Sequence, residues 1–335
     1  MKSIRTIGVP AALGIAALTA AGCGDSSEPA ADNIRVGVVY YDQSDTFLGA
    51  LTEALREDLA EYKTESRNIT MMLRTSEGSQ DTQNEQVSEL IEAGCNVLCI
   101  NLVDRSLPSD IIDMASQEEL PIIFFNREPV AEDMELWEKT YYVGADARQS
   151  GQMQGELAAE TILNKDADRN HDGVIQYVVL EGEAGHQDAI VRTESSVETI
   201  ENEGIVLEKL SYQMANWNRA QAQNRVEQLE AQFTGKIELI LANNDDMALG
   251  AVDAYEKLNY TENTWPLIFG VDGTDAGLAA LQEGKIDGTV YNDKEGQAAA
   301  IARLAVAAVT GEGMDEISFD QYHSIYIPYF KITEE

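Results

Sequence analysis

Short β-rich runs alternating with amphipathic stretches predict an α/β fold whose parallel sheets are covered by helices on both faces. The candidate strands are VGVVYY (36–41), ITMMLR (69–74), VLCINL (97–102), PIIFFN (121–126), YYVGAD (141–146), VIQYVVL (174–180), IELILAN (237–243), PLIFGVD (266–272) and GTVYND (288–293). They are near-continuous apolar runs, as strands buried on both faces must be. Helix-like patterns lie between them, such as Asp81 to Ala93 with Val87, Leu90 and Ile91 on one face, and Ala300 to Val309. So many strands exceed what one compact sheet holds, and two doubly wound parallel-sheet lobes are expected from the 335 residues.

The chain opens on an address. Lys2 and Arg5 precede the apolar run Ile7 to Ala17, and Leu18-Thr19-Ala20-Ala21-Gly22 leads to Cys23. A cationic start, a short apolar core and small residues before a cut describe a secretory signal. The run falls short of the ~20 residues that span a bilayer. Small residues directly before a cysteine resemble a bacterial lipoprotein signal, so residues 1–22 are read as a lipoprotein signal peptide and Cys23 as the lipidated residue. Gly24 to Asn33 (GDSSEPAADN) lacks apolar periodicity and reads as a flexible tether.

Composition removes several function classes. Acidic residues number 59 against 23 basic ones, for a formal net charge of −36. Phosphate backbones would repel such a chain, so nucleic acid is not an expected partner. Three cysteines and three histidines leave little for a disulfide framework or a zinc centre. Cys95 and Cys99, if on one strand, would stand roughly 13 Å apart, too far for a disulfide; both read as buried small hydrophobes.

Five strands end in a polar residue: Asn101, Asn126, Asn244, Asp272 and Asn292. Open parallel sheets bind ligands just beyond the carboxyl ends of their strands. Amides and carboxylates gathered there suit a ligand rich in hydroxyls, each of which donates and accepts. Any one of these residues is also an ordinary turn former; five together point to a site.

A second pattern is a metal loop. Residues 168–176 read Asp-Arg-Asn-His-Asp-Gly-Val-Ile-Gln. Asp168, Asn170 and Asp172 supply oxygens at positions 1, 3 and 5, Val174 a backbone carbonyl at 7 and Gln176 a side-chain oxygen at 9, which is the calcium-loop pattern. Position 12 should be Glu but is Val179, and a strand rather than a helix follows. One ligand must therefore come from a remote carboxylate. His171, at the outward position 4, is expected to face solvent.

The segments RVGVVYYDQSDTF, INLVD, PIIFFNREP, YYVGAD, DRNHDGVIQ, LEGEAGHQDAIVR, IELILANNDDMALGAV, FGVD and GTVYND, with the export signal and the interrupted calcium loop, resemble the bacterial galactose/glucose-binding proteins. These are type I periplasmic binding proteins that feed ABC sugar importers, and the resemblance runs from Arg35 to the carboxyl terminus. It implies two lobes joined by a three-segment hinge near Leu120–Ile122, Asn292–Lys294 and Tyr326–Pro328, with residues 34–121 plus 293–326 forming the amino-terminal lobe and 122–292 plus 327–335 the other. It implies a sugar site of Asp45, Phe47, Asn101, His186, Asp188, Arg192, Trp217, Asn244, Asp272 and Asn292. It implies a structural calcium ion on Asp168, Asn170, Asp172, Val174, Gln176 and the remote Glu238.

Physical roles follow for those residue types. Rings such as Phe47 and Trp217 cover the C–H faces of a pyranose while its rim stays free for hydrogen bonds. Charged Asp and Arg groups make the stronger of those bonds. By the resemblance, Asp45 admits both epimers at C4, so D-galactose and D-glucose are the expected ligands and closure of the lobes the expected mechanism. The partners implied are an ABC permease and a chemoreceptor, with a monomer touching the membrane only through a lipid anchor. A binder of ribose or xylose, or a sugar chemosensor, is the neighbouring reading. No G-x-S-x-G, Walker or H-E-x-x-H pattern occurs, so an enzyme is not expected, and the absence of a basic helix-turn-helix region before residue 35 argues against a transcription regulator.

Overall fold

The computed structural model describes residues 32–261 and 264–332. Residues 1–31, on which the expected signal peptide, the expected lipidation at Cys23 and most of the expected tether fall, lie outside the described residues. Asp32 and Asn33, expected at the end of the tether, instead open the first strand.

Strand and helix alternate as the sequence pattern requires. In chain order they run β1 (Asp32–Tyr40), α1 (Thr46–Glu61), β2 (Arg67–Thr75), α2 (Gln80–Glu92), β3 (Val97–Ile100), α3 (Ser109–Gln117), β4 (Ile122–Phe125), a short α4 (Ala131–Met134) and β5 (Thr140–Gly144). Then follow α5 (Ala147–Asn164), β6 (Ile175–Glu181), α6 (Gln187–Asn202), β7 (Leu207–Met214), α7 (Arg219–Phe233), β8 (Leu239–Ala242), α8 (Asp245–Lys257), β9 (Leu267–Phe269), α9 (Asp275–Gln282) and β10 (Thr289–Asn292). The chain closes with α10 (Lys294–Thr310), β11 (Ser324–Tyr326) and β12 (Tyr329–Ile332).

Two parallel sheets result. One has the order β11-β5-β4-β3-β1-β2, the other β7-β6-β8-β9. Bridges from Phe269 to Gly288 and from Asp272 to Tyr291 set β10 beside β9, and β12 pairs antiparallel with β10. In the first lobe, α1 and α10 cover one face over Val36, Val38, Leu51 and Ile301, and α2 and α3 cover the other over Leu90, Leu98 and Ile112. In the second, α7, α8 and α9 pack on Val178, Ile240 and Met247, while α5 packs on Val179, Leu241 and Phe269. Burying each Leu, Ile or Val contributes roughly 1.5–3 kcal/mol, so four apolar layers hold two cores.

The first crossing between lobes differs from the expected one. Strands β4 and β5 pair with β3 and β11 in the first sheet, so the chain leaves that lobe at Ala145–Asp146, not at Leu120–Ile122. An apolar run declares a buried strand but not the sheet it joins. The other crossings fall where expected, between β10 and α10 and between β11 and β12. Three further strands carry no continuous apolar run: β7 is a partly exposed edge, and β11 and β12 are three and four residues long. Cys95 precedes β3 and Cys99 lies within it, and both are buried free thiols.

Leu51 is fully buried between α1 and α10. Leu51→Ala should lower the unfolding free energy of that lobe by about 2–5 kcal/mol, read as a shifted denaturation midpoint; an unchanged midpoint would contradict this packing.

Candidate functional site

Six strands deliver the walls of one pocket between the lobes. Tyr41, Asp45 and Phe47 follow β1, and Asn126 and Arg127 follow β4; across the gap, His186, Asp188 and Arg192 follow β6, Trp217 follows β7, Asn244 follows β8 and Asp272 follows β9. All stand past strand carboxyl ends, where helix amino termini also converge. Asp45 caps α1, its Oδ1 accepting from Leu48 N at 2.9 Å. Asn244 caps α8, its Oδ1 accepting from Met247 N at 2.9 Å. His186 caps α6 through Nδ1, which accepts from Asp188 N at 3.2 Å, so its ring proton sits on Nε2.

Eight of the ten residues implied for the sugar site line this pocket: Asp45, Phe47, His186, Asp188, Arg192, Trp217, Asn244 and Asp272. Asn101 and Asn292 do not. Asn101 is fully buried behind the wall; its Oδ1 accepts from Tyr41 N, and its Nδ2 donates to Phe125 O and Asn126 Oδ1. Asn292 lies behind Asp272, donating to its Oδ1 at 3.4 Å and accepting from Gln297 Nε2 at 2.6 Å. Both amides spend their hydrogen bonds on the protein and steer residues that do face the pocket. Tyr41 and Arg127 were not anticipated, and Asn126 was noted only as a strand end. All three stand within two residues of a strand's carboxyl end, so the strand-end rule reaches them.

The two rings are placed by unlike means. Phe47 is buried in the first turn of α1. Trp217 is half-buried just before α7, in a tight turn where Asn216 and Trp217 both have positive φ, 51° and 59°. A side chain at Gly182 would strike the Trp217 indole, so glycine there lets the ring approach the end of β6 closely. The His186 ring meets the indole edge-on, centroids 5.0 Å apart.

Charge in the pocket is dense and mutually compensated. Arg192 is buried; Nε donates to Ser150 Oγ, Nη1 to Asn243 O and Nη2 to Tyr329 Oη, all within 3.1 Å. Burial opposes its charge, but Tyr329, Asp272 and Asp188 outweigh it and hold the guanidinium protonated. The Arg127 guanidinium lies 3.6 Å over the Tyr41 ring and donates to Glu183 Oε2 at 2.9 Å, across the two lobes. Burial pushes the Asp45, Asp188 and Asp272 carboxyls above the usual range, with Arg192 pulling Asp188 and Asp272 back toward ionisation. Burial, reinforced by Arg127 and Arg192, keeps His186 neutral.

Free space inside is small, about 30 Å³, room for a water or two. A six-membered ring enters only when the lobes part. Larger chambers flank the pocket: one of about 420 Å³ shares Arg127, His186 and Asp188, one of about 610 Å³ shares Asp188, and one of about 260 Å³ shares Phe47 and Asp272. Thr46 Oγ1 donates to Asp246 Oδ2 at 2.7 Å and Arg105 Nη1 to Gln187 Oε1 at 3.3 Å. Together with Arg127–Glu183, these bonds tie one lobe to the other.

The metal-loop residues lie apart from the pocket, between α5 and β6. Glu238, just before β8, reaches the loop: Oε1 accepts from Arg169 N at 2.7 Å and Oε2 from Gln176 N at 3.1 Å. Asn170, Gln176 and Asp172 converge, with Asn170 Nδ2 at 2.9 Å from Gln176 Oε1 and Gln176 Nε2 at 3.0 Å from Asp172 Oδ2. Turning either amide presents oxygen where nitrogen now stands. Among the described residues no three His, Cys, Asp or Glu side chains form a metal cluster by themselves; the donor set needs its two amides and the Val174 carbonyl. That all-oxygen chemistry fits a hard cation. His171 is exposed, as expected.

Comparison with known proteins agrees with the fold. A family profile described as periplasmic binding protein domain matches residues 36–313. The D-galactose/methyl-galactoside binding periplasmic protein MglB of Haemophilus influenzae is 36% identical over 293 residues, 87% of this chain and 86% of that protein. The ribose import binding protein RbsB of the same organism is 26% identical, over 71% of this chain and 75% of its own. An ABC transporter solute binding protein from Bacillus halodurans, solved with bound myo-inositol, superposes with a TM-score of 0.74 at 28% identity, covering 90% of this chain and 95% of that one.

The raised acids have a consequence for stability. A carboxyl whose folded pKa exceeds its unfolded value near 4 gives a fold that holds more protons than the unfolded chain, so stability rises as pH falls through that window. Asp45, Asp188 and Asp272 are raised, and burial lifts the neighbouring Asp245 to about 7. The melting temperature without ligand, in chelator, should therefore climb between pH about 7.5 and about 5.5; a fall over that range would contradict the burial of these groups.

Proposed function

The chain belongs to the periplasmic binding protein family, and from that premise we propose that it captures one hexose, D-galactose or D-glucose, between its lobes and presents it to an ABC permease. Sugar-binding periplasmic proteins of this family are extracytoplasmic components of transport, not enzymes. Among the described residues no helix is long and apolar enough to cross a membrane.

The observation that carries the hexose reading is the joint lining of one interlobe pocket by three aromatic rings, three acids, two guanidiniums, two amides and a neutral imidazole. Phe47 and Trp217 supply apolar faces for the two sides of a pyranose. Asp45, Asp188 and Asp272 accept from rim hydroxyls, Arg192 and the His186 Nε2–H donate, and Asn244 and Asn126 do both. A rim hydroxyl missing from the ligand leaves one of these buried groups unpaired, at about 1–3 kcal/mol, and that is the source of selectivity. Asp45 faces two donors already, Tyr41 Oη and Leu48 N, and a carboxylate has lone pairs left for a C4 hydroxyl of either configuration.

Because the first lobe supplies Asp45 and Phe47 and the second Arg192, Trp217 and Asp272, a bound sugar bridges the lobes and stabilises the closed form, the behaviour known for this family. The permease would then read that closed form. Support for a hexose over a pentose comes from the 36% identity to a D-galactose/methyl-galactoside binding protein. Myo-inositol and ribose, the ligands named for relatives, serve as the comparison arms of the test.

Two further parts of the proposal concern the chain's surroundings. A calcium ion held by Asp168, Asn170, Asp172, Val174, Gln176 and Glu238 would fasten the α5–β6 connection to the start of β8. Lipidation at Cys23 would anchor a monomer at the membrane on its extracytoplasmic side, in a periplasm or at a cell surface, within reach of the permease and of a chemoreceptor.

Calorimetry with D-galactose and D-glucose should show one site per chain, and Asp45→Ala should weaken binding by at least about a hundredfold, as removal of a charged hydrogen-bond acceptor plus its unpaired hydroxyl requires. Unchanged affinity, or tighter binding of myo-inositol or ribose than of either hexose, would overturn the reading. A calcium chelator should lower the melting temperature and Glu238→Gln should abolish that response; a melt indifferent to calcium in the parent would remove the ion from the proposal.

A further inference from the structure

Asp245 stands directly after the pocket residue Asn244 yet is fully buried and lines no part of the pocket. Its carboxylate accepts three hydrogen bonds. Oδ2 takes Thr274 N at 2.7 Å and Thr274 Oγ1 at 3.1 Å, and Oδ1 takes Thr289 Oγ1 at 2.6 Å. A side-chain carbon at Gly270 or Gly277 would strike the carboxylate, so two glycines clear its seat. The backbone joins in, with Asp245 N donating to Val271 O at 2.7 Å.

The segment so gripped is the turn that carries Asp272. That residue has a φ of +113°, a conformation costly for any side chain and kept only where the surroundings over-determine it. One flank is pinned by β10, through Asp272 N to Val290 O at 2.8 Å and Asn292 N to Asp272 O at 3.1 Å. The other flank is pinned by Thr289 Oγ1, which accepts from Gly273 N at 3.3 Å, and by Asp245, which holds Thr274. Thr289 thus touches both the turn and the buried acid, and it is itself fully buried.

We propose that Asp245, with Thr289 and Thr274, is a positioning residue that holds the 272–274 turn in its strained form and so aims the Asp272 carboxylate at the ligand. Burial alone would place an apolar residue at 245. A carboxylate adds the capacity to accept from two segments at once. Asp245 touches no ligand in this arrangement; it acts through Asp272. The ligand itself is the hexose of the reading above, on which this inference rests.

The test compares Thr289→Val, which keeps shape and removes the hydroxyl, with Thr289→Ser, which keeps the hydroxyl. Calorimetry with D-galactose should show Thr289→Val binding at least about tenfold more weakly, the loss of a charge-assisted hydrogen bond, and Thr289→Ser within about threefold of the parent. A crystal structure of Thr289→Val should show residue 272 leaving positive φ or its carboxylate turned from the pocket. Parental affinity in Thr289→Val, or an unaltered turn, would overturn the proposal. If Thr289→Val does not fold, Thr274→Val removes the hydroxyl bond to Asp245 and the cap on Gly277 N while sparing the backbone bond to Asp245; parental affinity there overturns the proposal equally. Should the parent bind no hexose, the functional reading fails while the turn geometry still decides this inference.

Discussion

Two guanidiniums make the pocket possible. Three carboxyls, Asp45, Asp188 and Asp272, converge in a space of about 30 Å³, and burial alone would leave them neutral. Arg192 stands beside Asp188 and Asp272, and Arg127 lies over Tyr41, whose hydroxyl in turn donates to Asp45 at 2.9 Å. Arg192 stays where it is because Ser150, Asn243 and Tyr329 each take one of its donors. Tyr329 belongs to β12, the last strand, so the third crossing of the chain is tied to the centre of the site. A charge cluster of this kind is a hydrogen-bonding surface held ready for hydroxyls, and its cost is borne by two apolar lobes with four packed layers.

Sheet topology explains why these side chains meet. Parallel strands deliver their carboxyl ends to one edge, and two such edges set against each other make a cleft with helix amino termini on both sides. Crossings at 145–146, 293 and 327–328 let the halves separate and rejoin without disturbing either sheet. Among the described residues, the bonds that bridge the cleft include Thr46 with Asp246, Arg105 with Gln187 and Arg127 with Glu183. Polar interlobe bonds of this kind exchange with water at small net cost, as suits a joint that must open for a ligand to enter.

Most of the fold was legible because buried parallel strands are written as apolar runs, and VVYY, VLCI, IIFF and LILA need no context to be read. The pocket was legible through residues that follow such runs, with the family resemblance selecting among them. What escaped was non-local. Nothing in PIIFFN says which sheet it joins, and the first crossing lies some twenty-four residues beyond the one the resemblance implies. LEKLSYQM lies at a sheet edge with Glu208 and Lys209 adjacent and apolar residues at 207, 210, 212 and 214, so it offers neither an apolar run nor a clean period of two. Asn101 occupies a strand end like the others, but it turns inward to carbonyls and amides of neighbouring loops, a choice settled by packing. Arg127 looks like a surface residue in sequence, yet it is buried over the Tyr41 ring and donates to Val103 O and Glu183 Oε2.

The most direct measurement is a crystal structure of the chain with D-galactose. A pyranose lying between Phe47 and Trp217, with hydroxyls in hydrogen-bond range of Asp45, Arg192 and Asp272, is the expected result. A sugar seated instead in the neighbouring 420 Å³ chamber, or on one lobe alone with the two rings apart, would contradict capture between the lobes.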